Sequence, residues 1–291
     1  MKKPHRNTIF PENAEILSHQ AFAGKQYIMR VHAPECAAHA QAGSFAHIQC
    51  DPQLVMRRPI SIMQVSKHAG WVDFLYKVEG NGTRLLSTRK PGEKVSILAP
   101  IGNPFTPDMK YSRPLLIGGG VGIPPMIFLA DQLRALEDTY QPFVIMGSEI
   151  PFPFETTTSS MTVPGINDEV NATMPLLEDW GVASRLCSLQ GYQGCHQGYV
   201  TDLARQWLDS LDEEQLKQVE IFSCGPHPML EAVAKLAAEY KLPCQVSLEE
   251  FMACGVGGCA GCVVEVQTDT GIAMKRVCVD GPVFEASSVF L

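Results

Sequence analysis

Four cysteines near the carboxyl end of the chain limit the possible folds more than any other feature. They are Cys254, Cys259, Cys262 and Cys278, with four, two and fifteen residues between successive members. This is the plant-type spacing, in which one tight loop brings three thiolates around a 2Fe-2S cluster and a distant cysteine completes the ligand set. Glycines inside the loop let its backbone turn and point N–H groups at the sulfurs. A zinc site and four unrelated buried thiols are the alternatives, but zinc more often binds paired short-spaced cysteines.

Composition and charge exclude several classes of protein. The 291 residues are 45% hydrophobic, which is enough for two domains with packed cores. The net charge of -8 gives no basic surface for a nucleic acid or an anionic membrane. The basic start, residues 1–6, is similar to the first part of a signal peptide, but Pro11 and Glu12 interrupt the apolar segment that should follow. Ten cysteines spread over a chain of this size suit a reducing compartment, so we expect a cytoplasmic protein.

The first part of the chain carries short segments typical of β-strands, separated by turn residues. They are residues 26–31, 44–50, 59–65, 71–78 and 94–98. Several short strands at this spacing indicate a barrel or a sandwich. One helix is predicted at residues 83–89, because Asn81 and Gly82 precede it and Pro91 and Gly92 follow it.

After residue 106 the pattern changes to strands that alternate with helices. The predicted strands are residues 114–117, 142–146, 184–189, 219–224 and 245–248, and the predicted helices include residues 201–211 and 228–240. Such alternation predicts a parallel sheet flanked by helices. Residues 150–170 are predicted as a long irregular loop, and a further β-like segment follows the clustered cysteines at residues 263–267.

A glycine-rich turn follows the first strand of this second region. Its candidate binding residues are Gly118, Gly119, Gly120, Gly122 and Pro124. Small residues at such a turn let the backbone approach a pyrophosphate, and the helix that follows offers free N–H groups. Pro124 replaces the final glycine of the usual dinucleotide fingerprint, and a glycine turn without a ligand is the alternative. Glu149, after the next strand, is placed to bond a ribose hydroxyl, which favours NAD over NADP unless it is only a solvated loop residue.

Two further segments are candidates for cofactor contacts. The first comprises Arg58, Pro59, Ile60 and Ser61, with Leu75, Tyr76, Lys77, Gly82 and Thr83 after it. An arginine can clamp a diphosphate through its planar guanidinium, although a solvated arginine is the simpler interpretation. The second segment comprises Cys224, Gly225 and Pro226. It ends a strand at the carboxyl edge of the sheet, where α/β proteins bind ligands, but a buried cysteine and a helix cap would explain it equally well.

Taken in order, these motifs resemble those of the ferredoxin-NADP reductase superfamily, and within it the electron-transfer subunits of class 1B dihydroorotate dehydrogenase. The likeness runs from about residue 26 to residue 290. The segments at Arg58, Leu75 and Gly82 are similar to the family's FAD contacts, those at Gly118 and Cys224 to its nicotinamide-nucleotide contacts, and the four cysteines to its cluster ligands.

The resemblance implies three parts: an N-terminal antiparallel β-barrel FAD domain (1–106), a parallel α/β NAD-binding domain (107–244) and a small C-terminal 2Fe-2S domain (245–291). It also implies FAD, a 2Fe-2S cluster and NAD(H) as cofactors of an oxidoreductase subunit of pyrimidine biosynthesis. The expected partner is an FMN-containing dihydroorotate dehydrogenase catalytic subunit or another redox protein, within a hetero-oligomer. No residue is expected to act as a general acid or base.

Two segments depart from the family pattern. Residues 147–170 are longer and more irregular than usual, and residues 191–198 replace a more acidic segment. Both departures bear on the nucleotide preference and the partner. One alternative is therefore an NAD(P)H-dependent ferredoxin-type reductase that acts alone or with a different complex. A redox sensor or zinc-stabilised binding module without enzymatic activity is a third interpretation.

Overall fold

The first region of the computed structural model, which describes residues 8–136 and 139–290, is a closed barrel. The basic residues 1–6 lie outside this description. Its strands are β1 (Phe10–Phe22), β2 (Gln26–His32), β3 (Phe45–Gln49), β4 (Arg58–Ser66), β5 (Trp71–Lys77) and β6 (Lys94–Ile101). They follow the order β1-β2-β5-β4-β3-β6, all neighbours are antiparallel, and pairing of β1 with β6 closes the ring. The predicted antiparallel barrel is thereby confirmed.

Strand β1 has no counterpart among the predicted strands. Along its 13 residues burial alternates from Phe10 to Leu17, with Ala14 and Ile16 fully buried, but the alternation is lost in the second half of the strand. The strand forms because backbone hydrogen bonding to β2 on one side and β6 on the other satisfies its polar groups.

The barrel carries two short helices, α1 (Pro34–His39) and α2 (Asn81–Leu86). The second starts two residues before the predicted helix and ends three residues before its end. Its start is fixed by the Thr83 hydroxyl, which accepts hydrogen bonds from the backbone of Glu79 and Gly80. Its end is fixed where the hydroxyls of Ser87 and Thr88 donate to carbonyls of the preceding turn.

The second region is a six-stranded sheet, in which five strands are parallel and the sixth comes from the end of the chain. Its strands, with two intervening small strands, are β7 (Arg113–Gly119), β8 (Phe143–Gly147), β9 (Thr157–Thr158), β10 (Ala172–Thr173), β11 (Ala183–Cys187), β12 (Val219–Cys224) and β13 (Cys244–Ser247). The order is β11-β8-β7-β12-β13, all parallel, and β9 pairs separately with β10. The predicted parallel α/β sheet is confirmed, and the 150–170 segment is irregular apart from β9.

The remaining helices and strands complete the chain. The helices are α3 (Ile123–Arg134), α4 (Pro175–Asp179), α5 (Val200–Asp209), α6 (Glu213–Leu216), α7 (His227–Tyr240) and α8 (Ala286–Phe290). The strands are β14 (Val263–Thr268), β15 (Gly271–Arg276) and β16 (Val283–Glu285). Strands β14 and β15 form a hairpin after the clustered cysteines, and β16 joins the large sheet antiparallel to β13. In the part of the chain that is described, no helix has the length and apolar character needed to cross a membrane.

Two hydrophobic cores meet at the large sheet. In β7, Leu116 faces the core that contains α3 and the interior of the barrel, while Leu115 and Ile117 face the core that contains α5 and α7. Alternate side chains of a central strand point to opposite faces, so both faces are covered. Helix α3 also packs against barrel strand β4, which brings the glycine turn close to the barrel.

The last segment of the chain joins the barrel to the sheet. The backbone N–H of Asn103 donates to the Gly281 carbonyl at 2.6 Å, and the Asn103 amide donates to the Asp280 carbonyl at 2.9 Å. Strand β13, which crosses the predicted boundary at 244/245, and strand β16 beyond it belong to the same sheet as β12. The three-domain division therefore remains a prediction about folding units.

Candidate functional site

The four clustered cysteines lie in two pairs. The sulfurs of Cys262 and Cys278 are 3.4 Å apart, and both residues are buried. The Cys259 side chain lies near enough to Cys254 to contribute to the lowering of its pKa, and Cys259 is exposed. All four are free cysteines. Gly255, Gly257 and Ala260 adopt positive φ angles of 67°, 80° and 53°, which bend the backbone into the loop that holds three of them.

The arrangement of the four cysteines in two pairs indicates which metal group the loop can hold. Two thiolates on one tetrahedral metal ion lie about 3.8 Å apart, because metal–sulfur bonds are about 2.3 Å long. Among the described residues, no three Cys, His, Asp or Glu side chains converge on a point suited to one metal ion. A 2Fe-2S cluster needs two thiolates on each of two irons, and two separate pairs satisfy that requirement. The residues present fit a binuclear cluster better than a single zinc ion.

Electrostatics differ between the two pairs. Burial raises the pKa of Cys254, but hydrogen bonds from the backbone of Val256, Cys259 and Gly258 outweigh it and lower the pKa to about 7. Burial, followed by the neighbouring Cys262 thiol, raises the pKa of Cys278. Backbone N–H groups therefore already stabilise negative charge on the sulfur of Cys254, as a thiolate ligand requires.

The loop rests on the outer face of barrel strand β3. Phe45 packs into the core that contains Cys262 and Cys278, whereas its neighbour Ala46 packs into the barrel core. His47, two residues after Phe45, faces the loop at Gly255, where an added Cβ would lie 2.7 Å from its Nδ1. The sequence analysis missed both Phe45 and His47. No pattern in the sequence connects them with a loop 200 residues away.

The candidate flavin segment lies on the next strand. Strand β4 pairs directly with β3, so Pro59 is opposite His47 and Ser61 is opposite Phe45. The Arg58 guanidinium lies over Gly82, where an added Cβ would be 2.8 Å from Nε. No carboxylate within the described chain forms a salt bridge with Arg58. A cation without a counter-ion above a glycine fits the diphosphate of FAD.

The other candidate flavin contacts differ in how far their side chains are exposed to solvent and in the polar contacts that they make. Ile60, Leu75 and Tyr76 are buried, and the Tyr76 hydroxyl bonds His19 Nε2 at 2.8 Å. Burial raises the pKa of Tyr76. Lys77 forms a salt bridge with Glu79 at 2.7 Å.

The glycine turn after β7 packs against the turn after β12. An added Cβ at Gly122 would overlap the Cys224 carbonyl, one at Gly119 would overlap the sulfur of Met229, and one at Gly118 would lie 3.1 Å from the Ile123 Cα. Gly120, with φ 55°, has no atom within 4 Å of the corresponding position. Packing against backbone therefore requires glycine at Gly122, Gly118 and Gly119 are closely packed, and Gly120 alone of the four faces open space.

The remaining nucleotide candidates surround this edge of the sheet. Cys224 is fully buried, and burial raises its pKa well above the ordinary value. Pro124 is buried in the first turn of α3, while Pro226 and Glu149 are exposed. The structure brings Cys224 and Gly225 against Gly119 and Gly122, and it places Glu149 after β8, the neighbour of β7.

A cavity of about 370 Å³ opens beside Gly225 and Pro226. Its other walls come from Glu249 and Glu250 after β13, Val264 and Glu265 of the cluster hairpin, and Val289 of α8. Glu249 is exposed at this cavity, and desolvation by the neighbouring protein raises the pKa of its carboxyl. The sequence analysis did not include Glu249, although its position directly after a parallel strand is a signal that could have found it.

Comparison with solved structures extends over nearly the whole fold. A chain of an NADH-dependent reduced ferredoxin-NADP oxidoreductase is 24% identical, with a TM-score of 0.77 over 96% of this chain and 90% of the other. The ferredoxin reductase of a carbazole 1,9a-dioxygenase is 19% identical, with a TM-score of 0.60 over 81% and 67%. Together, the barrel, the parallel sheet with its glycine turn and the paired cysteines define an iron–sulfur flavoprotein oxidoreductase with a ferredoxin reductase fold.

Sequence relatives specify the family. The sequence model for the iron-sulfur cluster binding domain of dihydroorotate dehydrogenase B matches residues 249–290. The dihydroorotate dehydrogenase B (NAD(+)) electron transfer subunit of Desulforamulus reducens is 33% identical over 95% of this chain and 97% of its own length. That of Listeria monocytogenes serovar 1/2a is 36% identical over 88% and 90%. The chain belongs to the family of dihydroorotate dehydrogenase B electron transfer subunits, which confirms the predicted resemblance.

Proposed function

We propose that the chain is the electron-transfer subunit of an NAD-linked dihydroorotate dehydrogenase of pyrimidine biosynthesis. It conducts electrons between a catalytic subunit that contains FMN and NAD+, and it works in the cytoplasm as part of a hetero-oligomer. The observation that carries this proposal is the seat of the cysteine loop on β3, the strand that is hydrogen-bonded to the Arg58-bearing strand β4. This arrangement places a candidate one-electron site directly beside the candidate flavin site.

The proposal assigns each group to residues of this chain. Arg58, Pro59, Ile60, Ser61, Leu75, Tyr76, Lys77, Gly82 and Thr83 hold FAD, the buried members through their backbone. Gly118, Gly119, Gly120, Gly122, Pro124, Glu149, Cys224, Gly225 and Pro226 form the nucleotide site, with Glu149 and Pro226 as its exposed members. Cys254, Cys259, Cys262 and Cys278 ligate the 2Fe-2S cluster. When bound, FAD exchanges electrons in pairs with NAD(H) and singly with an iron–sulfur cluster.

The residues of the chain act by positioning and by excluding water. Helix α3 packs against both β7 and β4, so the nucleotide edge is held at a fixed place relative to the flavin strand. Phe45, Cys262 and Cys278 share one buried core, which keeps water from that side of the cluster site. Backbone donors around Cys254 stabilise its thiolate. None of these roles requires proton transfer by a side chain.

A reconstitution experiment tests the proposal. The purified chain is mixed anaerobically with an FMN-containing dihydroorotate dehydrogenase subunit of the same family, and NADH formation from dihydroorotate and NAD+ is followed at 340 nm. We expect activity only when both subunits are present, together with a stable complex in size-exclusion chromatography. The Cys259→Ser variant serves as the control, since it should bind FAD and NADH but fail to link them to the partner.

The same experiment distinguishes the alternative functions. The chain could oxidise NADH with small acceptors but show no response to the dihydroorotate-oxidising subunit. That result would contradict the proposal and show that the chain is a reductase with a different partner. Parallel assays with NADP+ test the nucleotide preference. Equal rates with NAD+ and NADP+ would contradict the role given to Glu149. A protein without flavin would contradict the assignment to FAD.

A further inference from the structure

His47 is a buried polar side chain that the assignments above leave without a role. It is 0% exposed, and neither of its ring nitrogens has a hydrogen-bond partner. Burial, followed by the positive charge of Arg57, lowers its pKa. In either tautomer the imidazole carries at least one N–H donor, and a buried donor without an acceptor costs about 1–3 kcal/mol. Such a group calls for an acceptor that is present in the functional protein.

The position of the ring identifies where that acceptor lies. His47 projects from the outer face of β3, the face that Phe45 uses to contact the core around Cys262 and Cys278. Its Nδ1 and Cγ would lie 2.7 Å and 3.1 Å from a Cβ at Gly255, so the ring touches the loop directly after Cys254. The carbonyls of Met252 and Cys254 are nearby but are not in hydrogen-bond geometry with either nitrogen. The ring therefore faces the place where the first ligand of the cluster is held.

Resting on the proposed function, we propose that His47 is a positioning residue for the cluster, whose ring N–H donates a hydrogen bond to a sulfur of the bound 2Fe-2S group. The acceptor is the Cys254 thiolate or a sulfide of the cluster, both of which carry negative charge. Gly255 is glycine for a related reason, because a side chain there would separate the ring from the loop. An N–H donor to a sulfur ligand stabilises the reduced cluster more than the oxidised one, since reduction adds negative charge.

The position of His47 also joins the two redox sites. In the β3–β4 register, His47 is opposite Pro59, the residue after Arg58 in the flavin segment. The Arg57 guanidinium donates to the His47 carbonyl at 3.2 Å and to the Ser96 carbonyl at 2.7 Å, which fixes the backbone on that side. A single residue of the barrel thus contacts the cluster loop through its ring and the flavin strand through its backbone pairing.

Spectroscopy of the reduced holoprotein tests the inference. The chain is labelled with [15N]histidine and reduced with dithionite, and the electron spin echo modulation of the cluster signal is recorded. We expect a coupling to a histidine 15N nucleus in the wild-type protein and its absence in His47→Leu. Potentiometry should show that the cluster reduction potential of His47→Leu is more negative by about 59 mV. For one electron this corresponds to about a tenfold shift of the electron distribution toward the flavin. His47→Gln, which keeps a donor, should recover most of the potential.

Several outcomes would overturn the inference. A cluster signal without histidine coupling in the wild-type protein would contradict it and leave the proposed function intact, whereas a wild-type protein without any cluster would contradict the proposed function itself. An unchanged potential in His47→Leu would also overturn it. If His47→Leu fails to assemble the cluster, the cluster potential of His47→Gln decides. Phe45→Leu is the matched packing variant. Equal cluster potentials in His47→Gln and Phe45→Leu would show that His47 has a merely structural role.

Discussion

The cysteine loop and the glycine turn after β7 are both rich in glycine, yet different forces determine their structures. In the turn, Gly122 lies against the backbone of the neighbouring segment, so protein packing requires it, and Gly119 lies against the Met229 side chain. In the loop, Gly255 and Gly257 also lie against other side chains, but Gly258 has no neighbour within 4 Å, and the nearest atom to a Cβ at Gly261 is the Cys259 sulfur at 3.4 Å. A glycine-rich segment is therefore not by itself a sign of a ligand. The loop is specified by its sulfur donors, and the turn is specified mainly by the fold.

The largest effect is expected from removing one sulfur donor of the loop. Cys259→Ser should lose most of its iron and its cluster absorbance while it keeps FAD, because Cys259 is exposed and lies on a different segment from the flavin contacts. Iron analysis and visible absorption of the purified variant measure this. Cys195→Ser, a half-buried cysteine outside the loop, is the matched control and should retain the cluster. Loss of both chromophores from folded Cys259→Ser would contradict the separation of the two sites.

The complementary substitution is made in the glycine turn after β7. Gly122→Ala places a methyl group against the Cys224 carbonyl, and both residues belong to packed backbone that cannot easily move. We expect the free energy of unfolding to fall by about 3 kcal/mol, at the upper end of the usual cost of overpacking. Urea unfolding followed by circular dichroism checks the value.

Gly258→Ala in the cysteine loop is the control for that measurement. An added methyl meets no atom there, so the free energy of unfolding should change by less than about 0.5 kcal/mol. Equal losses in Gly122→Ala and Gly258→Ala would remove the distinction between a packed turn and a ligand-specified loop.

We expect the free energy of unfolding to depend on pH through a buried carboxyl of the large sheet and not through the cysteine loop. Burial raises the pKa of Glu220 on β12 to about 7, while its carboxylate accepts a hydrogen bond from the backbone of Asp108. The folded state then holds a proton that the unfolded state releases above about pH 4.5, so stability falls as pH rises from about 4.5 to 7. The loss is at most about 3 kcal/mol, at 1.36 kcal/mol for each pKa unit.

The comparison for this prediction is Glu220→Gln. Its free energy of unfolding should depend less on pH than that of the wild-type protein between pH 5 and pH 8, in urea titrations at matched ionic strength. The same difference should appear in a Cys259→Ser background, because the loop does not take part. An equal dependence in the two proteins would show that the pKa of the buried carboxyl is not raised in the folded state.

The smallest effect is expected at the exposed edge of the nucleotide site. Glu149→Gln removes a charge from an exposed residue after β8 that packing does not require. The KM for NADH should rise by about tenfold or less, which corresponds to one charged hydrogen bond of about 1.4 kcal/mol, with no change in stability. Steady-state kinetics with NADH and NADPH measure it. An unchanged KM for both nucleotides would remove Glu149 from the site.

The sequence was most informative where local chemistry determines structure. Cysteine spacing identified the four clustered thiols, and short apolar segments located the five parallel strands within a few residues. Strand β1 was missed because only two of its residues, Ala14 and Ile16, are fully buried, and backbone pairing extends the strand well beyond them. Phe45 and His47 were missed because their role depends on contact between β3 and a distant loop, which no single-sequence pattern records. The packing role of Gly122 could not be predicted either, since the turn that it contacts is a hundred residues further along the chain.

The most direct test of the account is the metal and flavin content of the freshly purified chain, with its anaerobic visible spectrum before and after NADH. The paired cysteines and the flavin strand beside them predict about two irons, two sulfides and one FAD for each chain, with flavin bands over a broad brown absorbance that NADH bleaches. A colourless protein that contains one zinc ion and no FAD would contradict the account, because the two cysteine pairs would then surround a single metal.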